Sequence, residues 1–328
     1  MVDDRRKVMA VYWLGIDVGK SDFHCALMSG DLSMKRHSFP NSQPGFTQLR
    51  KWLANRRVSH VHACLEATGG WSEELAVFLY DHGHTVSVVN PLAIKAFSQS
   101  TLTRTKTDKA DADLIARYCR TMQPEPWRPP SAAQRRLQQL TRRRTALSDM
   151  LVQEQNRLQG PGIEAIRSSL ERTARFLERQ IAGIDEEIRA FMDSDPTLRE
   201  QRELLESIPG IGERTSATIL GEMPNIAEFR SGKAVAAFAG LCPRERRSGT
   251  SVSSSWLSKV GNHVIRRALY LPAVCAIRYN AVLKEWAARL RARGKRAKQI
   301  IAAVMRRLLV IAYGVLKSRR PFEVRITA

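Results

Sequence analysis

VYWLGIDVGKSDFHCALMSG, residues 11–30, decides the fold of the first part of this 328-residue chain. Its two apolar runs flank a turn at Gly19-Lys20 and predict two successive buried strands. The pattern continues with a strand over 33–40, a helix over 45–56, a strand over 61–67, a helix over 72–83, a strand over 84–90 and a helix over 107–122. Three strands followed by this alternation is the order of an RNase H-like α/β domain.

Four carboxylates stand at positions where such a domain places chemistry. Asp17 and Glu66 fall near the carboxyl ends of predicted strands, where open α/β sheets hold their sites. Asp108 and Asp111 share one face of the last helix, whereas Asp113, five residues from Asp108, points off that face and is left out. Carboxylate oxygens suit Mg²⁺ or Mn²⁺. Two such ions about 4 Å apart would clamp the attacking and leaving oxygens of a phosphodiester.

The chain is strongly basic. It contains 53 Lys and Arg against 32 Asp and Glu, which gives a formal net charge of +21 and a pI of about 10.5. An excess of this size indicates a polyanionic partner such as nucleic acid, without indicating sequence specificity. The length predicts two or three domains, and 43% hydrophobic residues are enough for real cores.

The cysteines and apolar runs bear on where the protein resides. Five cysteines are scattered without CxxC spacing, which favours reduced, mostly buried thiols over a zinc site or a disulfide framework. The first apolar run is too short and too strand-like for a signal peptide. We found no stretch approaching the roughly 20 apolar residues of a membrane span. We therefore expect a soluble cytoplasmic protein with no membrane partner.

The tract PEPWRPP, residues 124–130, predicts a linker that ends the first domain, 8–130. Residues 131–204 predict an antiparallel coiled-coil hairpin turning at Gly160-Pro161-Gly162, because apolar residues recur in steps of four and three. Arg144 and Glu154 occupy two seam positions and weaken the first helix. Two amphipathic helices packed on a globular domain remain an alternative, and the hairpin could mediate dimerisation. The seam residues are Leu137, Leu140, Leu147, Leu151 and Leu158, then Leu170, Ala174, Leu177, Ile181, Ile184, Ile188 and Phe191.

Residues 205–328 predict a mostly helical domain that opens with a helix-hairpin-helix pattern, SIPGIGERTSATIL. Gly210 and Gly212 would let the backbone approach a phosphate, which the free N–H groups of the next helix would bind. A purely structural turn is the alternative. Between Lys284 and Arg325 stand 13 Lys or Arg against two acids, with apolar residues at helical spacing. This favours a phosphate-tracking helix face over an ordinary solvated surface.

A serine-rich segment lies between these two features. Ser248 follows a cluster of arginines, and arginine suits attack on a phosphodiester because it offsets the charge that develops on phosphorus. A serine-rich loop without catalytic function is the alternative, since Ser251, Ser253, Ser254 and Ser255 compete for the same role. The basic residues that we expect to contact nucleic acid here are Arg244, Arg246, Arg247, Lys259, Arg266 and Arg267.

Five motifs, in order over nearly the whole chain, resemble those of the insertion-sequence-110 family of bacterial transposases (DEDD recombinases), a pattern shared with Piv-type DNA invertases. They are GIDVGKSDFH, CLEATGGW, KTDKADADLIA, SIPGIGERTSATIL, and AGLCPRERRSG followed by SKVGNHVIRRALY. The resemblance implies a RuvC-like N-terminal domain, a coiled-coil segment and a C-terminal transposase domain. It also implies an acidic tetrad at Asp17, Glu66, Asp108 and Asp111, and a catalytic serine at Ser248.

The resemblance further implies that the serine attacks DNA and holds a covalent phosphoserine link. The carboxylates and Mg²⁺ would assist from across a subunit interface. The implied partners are donor and target double-stranded DNA, and a structured noncoding bridge RNA that pairs with both. Two homodimers would assemble into a tetramer, in the cytoplasm of a bacterium at its nucleoid.

Three other functions are compatible with parts of the sequence. A Piv-type site-specific invertase would use the same residues without RNA. A RuvC-like metal-dependent nuclease or junction resolvase would use water as its nucleophile and would not need Ser248 or the second domain. A non-enzymatic nucleic-acid-binding scaffold is disfavoured, because four like charges held together lower stability unless a metal offsets them.

Overall fold

The computed structural model describes residues 12–67, 70–100, 108–248 and 252–323, and the chain divides into two compact units, residues 1–129 and 130–328. Within the described ranges, the side chains of residues 108–109, 245–248 and 252–255 are not described. Each unit has its own hydrophobic core.

A five-stranded mixed sheet forms the centre of the first unit. Its order is β3-β2-β1-β4-β5, with β1, β2 and β3 antiparallel and β1, β4 and β5 parallel. This arrangement is consistent with the predicted RNase H-like domain. The strands are β1 (Trp13–Val18), β2 (Asp22–Met28), β3 (Met34–Pro40), β4 (His62–Glu66) and β5 (Thr85–Val89).

Burial along the strands follows their places in the sheet. Leu14 and Ile16 of β1 have no exposed surface, because a central strand is covered on both faces. The outer strand β3 instead exposes Lys35, Arg36 and His37, and charged side chains of this kind protect a sheet edge from pairing with another chain.

Four helices accompany the sheet: α1 (Gln43–Ala54), α2 (Gly70–Asp81), α3 (Pro91–Ser100) and α4 (Asp108–Met122). We did not predict α3, which follows β5 after a single residue, Asn90. The Asn90 side chain accepts a hydrogen bond from the Leu92 N–H at 2.9 Å, and Pro91 suits the first position of a helix. Helix α4 packs on β1, β2 and β4.

The second unit begins with two long helices, α5 (Ala132–Leu158) and α6 (Arg167–Ser194). Ser131 and Gln134 form a reciprocal capping box that starts α5. The helices run antiparallel, since Leu137 clusters with Ile188 and Met192 at one end while Leu147 clusters with Leu177 and Ile181 further along. Whether their packing is that of a coiled coil remains a prediction.

The remainder of the second unit is mostly helical, as predicted, around the long helix α13. Its elements are α7 (Pro196–Glu206), α8 (Glu213–Glu222), a 3₁₀ turn (Ile226–Glu228), α9 (Gly232–Phe238), β6 (Pro243–Ser248), β7 (Val252–Leu257), α10 (His263–Ala268), α11 (Tyr270–Tyr279), α12 (Ala281–Ala292) and α13 (Ala297–Ser318). The β6–β7 hairpin lies in the serine-rich segment for which the sequence predicted no strands.

Helix α13 is long and apolar enough to cross a membrane by length and composition, so our expectation that no stretch approaches a span was wrong on that count. Nine of its residues are nevertheless buried in the second unit's core. Its Tyr313 hydroxyl donates a hydrogen bond to the Phe229 carbonyl at 2.8 Å. These contacts are those of a core helix.

Candidate functional site

Two predicted carboxylates lie side by side at the carboxyl ends of β1 and β4, two inner strands of the first unit's sheet. We call this end of the sheet the carboxylate edge. The parallel pairing of β1 with β4 places Ile16 opposite Leu65, so Asp17 and Glu66 are the next residues on two neighbouring strands. Both side chains are half-buried. The sheet therefore brings together the two strand-borne acids, as we expected from its topology.

Helix α4 adds a third carboxylate to this edge. Gly15 of β1 permits a very close approach, since a Cβ there would lie 2.2 Å from both the Ala112 carbonyl oxygen and the Ala116 nitrogen. Asp111 is on the same helix and acts electrostatically on Glu66. Burial raises the pKa of Glu66 above its ordinary value, and the charges of Asp17 and Asp111 raise it further. Asp17 and Asp111 are therefore both close enough to Glu66 to interact with it electrostatically.

Asp108 is the first residue of α4, one turn before Asp111. Its side chain lies outside the described residues, so the arrangement of the full tetrad stays a prediction. Among the described side chains, no group of three or more His, Cys, Asp or Glu residues is spaced to hold a metal ion. The donor chemistry nevertheless fits a hard cation, because all four residues offer carboxylate oxygens and the charges of Asp17 and Asp111 both act on Glu66.

The residues around this carboxylate edge have structural contacts. Arg36 of β3 donates two hydrogen bonds to Asp113, at 2.8 and 2.6 Å, so this fifth acid is bound to an arginine. Asn41 donates to the Gly19 carbonyl at 2.9 Å and to the Trp71 carbonyl at 3.1 Å, which joins the β1–β2 turn to the start of α2. Sequence reasoning missed Asn41. Its place directly after a strand was the only signal.

Ser248 is the last residue of β6 and pairs with Val252 of β7. The side chains of Arg246, Arg247 and Ser248 lie outside the described residues, so their predicted functions are not tested by geometry. Arg244 is exposed and lies opposite Trp256 at the base of the hairpin. The predicted nucleophile therefore lies at the far end of a two-stranded ribbon whose base carries an exposed arginine.

The other basic residues of this segment differ in their surroundings. Arg266 donates to the Ala239 carbonyl at 2.9 Å, and partial burial lowers the pKa of its guanidinium. Arg267 forms a bidentate ion pair with Asp149 of α5, which raises the pKa of Arg267 and lowers that of Asp149. Lys259 is exposed and has a positive φ of 59°. Two of these three cations thus have partners within the second unit.

The predicted phosphate-binding turn separates α7 from α8. Gly210 has a φ of +107°, and a Cβ there would lie 2.8 Å from the Ala276 Cβ of α11, so this glycine is needed for packing. Gly212 caps α8, and a Cβ there would meet nothing within 4 Å. Glu213 pairs with Arg189 of α6 at 2.8 Å. Of the two glycines, Gly212 is the one whose surroundings leave room for a ligand.

A buried network that sequence reasoning missed supports the segment after the hairpin. Glu222, at the end of α8, has no exposed side-chain surface and accepts hydrogen bonds from Arg142 at 2.6 and 3.0 Å. It also accepts one from Asn262 at 2.7 Å, and Asn262 caps α10. Nothing in the spacing of these three residues indicated the network, because it joins three separate helices.

Comparison with known proteins identifies two transposase families. A DEDD transposase family of IS110 matches residues 14–160, and a family described as "Transposase IS116/IS110/IS902 family" matches residues 202–288. The pilin gene-inverting protein of Moraxella bovis is 36% identical over 323 residues, which cover 97% of this chain and 99% of that protein.

More distant relatives carry transposase or insertion-element names. The transposase for insertion sequence element IS1328 of Yersinia enterocolitica is 25% identical over 78% of this chain and 81% of its own. An IS110 protein of Streptomyces coelicolor is 26% identical over 51% of this chain and 40% of its own. Among solved structures, Thermus thermophilus RuvC matches with a TM-score of 0.27 and 16% identity, over 36% of this chain and 100% of that one.

Proposed function

Because this chain belongs to the IS110 family of transposases and is a DNA recombinase, we propose that it breaks and rejoins DNA through a covalent link to Ser248. The observation that carries the proposal is the convergence of Asp17, Glu66 and Asp111 at one sheet edge, in a chain whose second unit presents Ser248 at the end of a hairpin. Carboxylates alone would fit a nuclease, but the second family match includes Ser248.

The proposed chemistry is transesterification. The Ser248 hydroxyl oxygen bonds to a backbone phosphorus, the bond from that phosphorus to the leaving sugar oxygen breaks, and the serine proton passes to solvent or base while the leaving oxygen gains one. A hydroxyl of the second DNA then attacks the phosphoserine, which restores the serine and joins the strands. No net hydrolysis occurs, so the bond energy of the cut is kept for the rejoining.

Membership of the family suggests a dependence on divalent metal, and we propose that Asp17, Glu66, Asp108 and Asp111 hold Mg²⁺ or Mn²⁺. When bound, the cation supplies positive charge that stabilises the charged phosphate of the transition state. Burial raises the pKa of Glu66 and the charges of Asp17 and Asp111 raise it further, and the second contribution supports this assignment because a cation would offset that repulsion. The nearby Arg36–Asp113 pair leaves Asp113 outside the ligand set.

Backbone contact with DNA is assigned to the second unit. Arg244 and Lys259 are exposed and are proposed to contact phosphates together with Arg246 and Arg247. The open turn at Gly212 is proposed to bind a phosphate through the N–H groups that begin α8. Arg266 and Arg267, which bond within the unit, are proposed to position the segment after the hairpin.

We also propose that donor and target DNA are brought together by a noncoding bridge RNA, in a tetramer built from two homodimers. The resemblance of the five motifs supports this proposal, and the net charge of +21 gives the protein capacity for both nucleic acids. Localisation at the bacterial nucleoid would follow from DNA binding.

A second candidate is site-specific inversion of a DNA segment read by the protein alone. The full-length likeness to pilin gene-inverting proteins favours it, at 36% identity against 23–28% for the relatives with insertion-sequence or transposase names. Both candidates use the same carboxylates and the same serine, so they differ in what selects the DNA.

The serine is tested by trapping the covalent species. The protein would be expressed in cells together with its flanking DNA. The cells would be lysed under denaturing conditions, and the DNA that stays covalently linked to the protein would be sequenced. We expect adducts at defined junctions for the wild type and Ser251→Ala, and none for Ser248→Ala. An adduct that persists in Ser248→Ala would move the attack to another residue.

Guidance is tested by sequencing the RNA that co-purifies with the native protein. A discrete transcript complementary to both junctions supports the bridge RNA. If only random cellular RNA co-purifies while adducts still form at defined junctions, the protein alone selects the DNA. Site-specific inversion would then replace RNA-guided recombination as the proposal.

A further inference from the structure

A cavity of about 940 Å³ opens beside the base of the β6–β7 hairpin. Trp256 and Leu257 of β7 and Trp286 and Leu290 of α12 form its walls, and small residues of α13 form part of its floor, including Ala302 and Ala303. Trp256 is 45% exposed. Two large aromatic side chains therefore face a groove that the second unit's own core does not fill.

The charge around this groove has one sign. Four cations and no acidic residue line it among the described side chains, which do not include residues 245–248 and 252–255; the cations are Lys233, Lys295, Arg306 and Arg307. Arg307 lies 5.6 Å from the centre of the Trp286 ring. By contrast, a cavity of about 470 Å³ between α5, α6, α8 and α10 mixes arginines with three acids, Asp149, Asp185 and Glu213. Of these two cavities, the first combines aromatic walls with cations that have no acidic residue beside them among its described lining side chains.

This combination is the chemistry that recognises unpaired nucleotides. Bases stack on aromatic rings regardless of sequence, and cations along the groove bind the phosphates between them. Duplex DNA would not satisfy the groove, because its bases are stacked inside the helix and show only their edges. An acidic peptide would use the cations but would leave the tryptophan faces without a matching partner.

We propose that this groove binds unpaired nucleotides of the DNA strand that is being exchanged. The inference rests on the proposed function, because the strand β6 runs directly from the groove to Ser248. Its first residue, Pro243, lines the groove and its last is the proposed nucleophile. Five residues of strand span roughly 17 Å. A DNA strand held on Trp256 and Trp286 would therefore leave the groove within a few nucleotides of the proposed attack.

The groove thus gives the enzyme a way to hold DNA melted next to the cut. During strand exchange, bases must separate from one complementary strand before they pair with the next. Stacking on tryptophan lowers the free energy of that unpaired state without reading its sequence.

The test measures binding of the full-length protein to labelled oligonucleotides by fluorescence anisotropy. The probes are a short single-stranded DNA, the same sequence as a duplex, and the same sequence as single-stranded RNA. The groove variants are Trp256→Ala and Arg306→Gln. The matched controls are Phe176→Ala and Arg179→Gln, an exposed aromatic residue and an exposed arginine on α6.

We expect Trp256→Ala to weaken single-stranded DNA binding at least about fivefold, the low end for loss of one stacked base, and Arg306→Gln to weaken it through loss of a phosphate contact. Duplex binding should change less than twofold, and the controls should bind all three probes as the wild type does. Quenching of tryptophan fluorescence by single-stranded DNA should fall in Trp256→Ala.

Three results would overturn the proposal. Groove variants that bind single-stranded DNA normally would exclude nucleotides from the groove. A loss confined to the RNA probe would assign the groove to RNA. Concentration-dependent self-association that disappears in Trp256→Ala, with unchanged DNA binding, would assign it to a second copy of the chain.

The proposed nucleophile is tested separately from the groove. Ser248→Ala should bind single-stranded DNA as the wild type does while forming no adduct. If the adduct persists in Ser248→Ala but the groove variants lose binding, the nucleophile is wrong and the groove stands. If Ser248→Ala loses the adduct and the groove variants bind normally, the reverse holds.

Discussion

Glu222 connects the segment that follows the β6–β7 hairpin to two helices of the second unit. Its side chain is fully buried and holds Arg142 of α5 and Asn262, the cap of α10, at the same time. A carboxylate without exposure needs such partners, because an unpaired buried charge is strongly unfavourable. Asn262, which lies between the hairpin and α10, is therefore held by Glu222 of α8, and Glu222 is held in turn by Arg142 of α5.

Glu222→Gln should lower the free energy of unfolding by about 2 kcal/mol, since a buried ion pair is lost while Arg142, 48% exposed, can still be hydrated. Urea denaturation measures the change. Glu187→Gln, which removes an exposed pair with Arg136, is the control and should change stability by less than about 0.5 kcal/mol. Equal effects for the two variants would mean that the network contributes nothing beyond surface charge.

Asp17 offers a test of the metal that does not rely on catalysis. In the wild type, Mg²⁺ at ten times its Kd should stabilise the fold by about 1.4 kcal/mol, seen as a rise in Tm. Asp17→Asn should lose most of that rise, because one ligand is gone. The substitution also removes one of the charges that raise the pKa of Glu66, so this pKa should fall towards its ordinary value in the metal-free variant.

Asp113→Asn is the matched control for this measurement, because Asp113 bonds to Arg36 and lies outside the proposed ligand set. It should keep the Mg²⁺-dependent rise in Tm. A rise that is unchanged in Asp17→Asn, or lost equally in both variants, would remove the metal from the proposed site.

At the scale of elements, the antiparallel pair α5–α6 has two apolar contacts, and the partly buried Ile184 packs against both. The end near α8 belongs to the main core, whereas Leu147, Leu177 and Ile181 form a small cluster of their own. Arg144, a charged residue at a predicted seam position, bonds to Asp185 of α6 at 2.8 Å. The charge that weakened the seam prediction is therefore paired across the two helices.

Leu177→Ala should destabilise the far part of this helix pair by about 2–3 kcal/mol, because the side chain is buried and leaves a cavity. Hydrogen exchange should accelerate in the second half of α5 and the first half of α6. The rest of the second unit should keep most of its protection, since none of the three buried residues of this cluster belongs to the main core.

Phe176→Ala is the neighbouring control, because Phe176 is 51% exposed. It should leave hydrogen exchange unchanged. If it instead changes the oligomeric state measured by light scattering, the exposed face of α6 is part of the proposed dimer interface. If hydrogen exchange in Leu177→Ala accelerates evenly over the whole second unit, the two apolar contacts open together and not independently.

What the sequence could predict depends on how local the determining contacts are. The strands around Asp17 and Glu66 were predictable, because a strand buried on both faces needs an apolar run that stands out from its neighbours. The hairpin β6–β7 was not, since its arginines and serines give no apolar alternation and its strands are defined only by pairing with each other. The groove at Trp256 and Trp286 was not predictable either, because it joins residues from five elements, α9, β6, β7, α12 and α13.

At the scale of the whole molecule, the positive charge is unevenly divided. The first unit has 17 Lys and Arg against 13 acids, a net charge of +4, and the second has 36 against 19, a net charge of +17. Binding to phosphate should therefore be dominated by the second unit. This division was readable from the sequence once the boundary near residue 130 was known.

DNA binding should weaken steeply with salt, and Arg244→Gln should reduce the slope of log K against log[salt] by about 1, the loss of one phosphate contact. Arg244 suits this test because it is exposed at the base of the hairpin. Arg136→Gln, which removes a cation that already pairs with Glu187, should leave the slope unchanged. Identical slopes for Arg244→Gln and the wild type would place the phosphate contacts elsewhere.

The contact between Gly15 and α4 has a consequence for any attempt to evolve this protein in the laboratory. Alanine, the smallest possible replacement, adds a methyl group that must overlap two backbone atoms of the helix. No rotamer change can relieve the overlap, so α4 would have to move away from β1 and take Asp111 with it. If these positions are randomised and the variants are selected for recombination, glycine should be recovered at position 15 as consistently as acidic residues are recovered at the carboxylate positions. This is expected although Gly15 has no functional group.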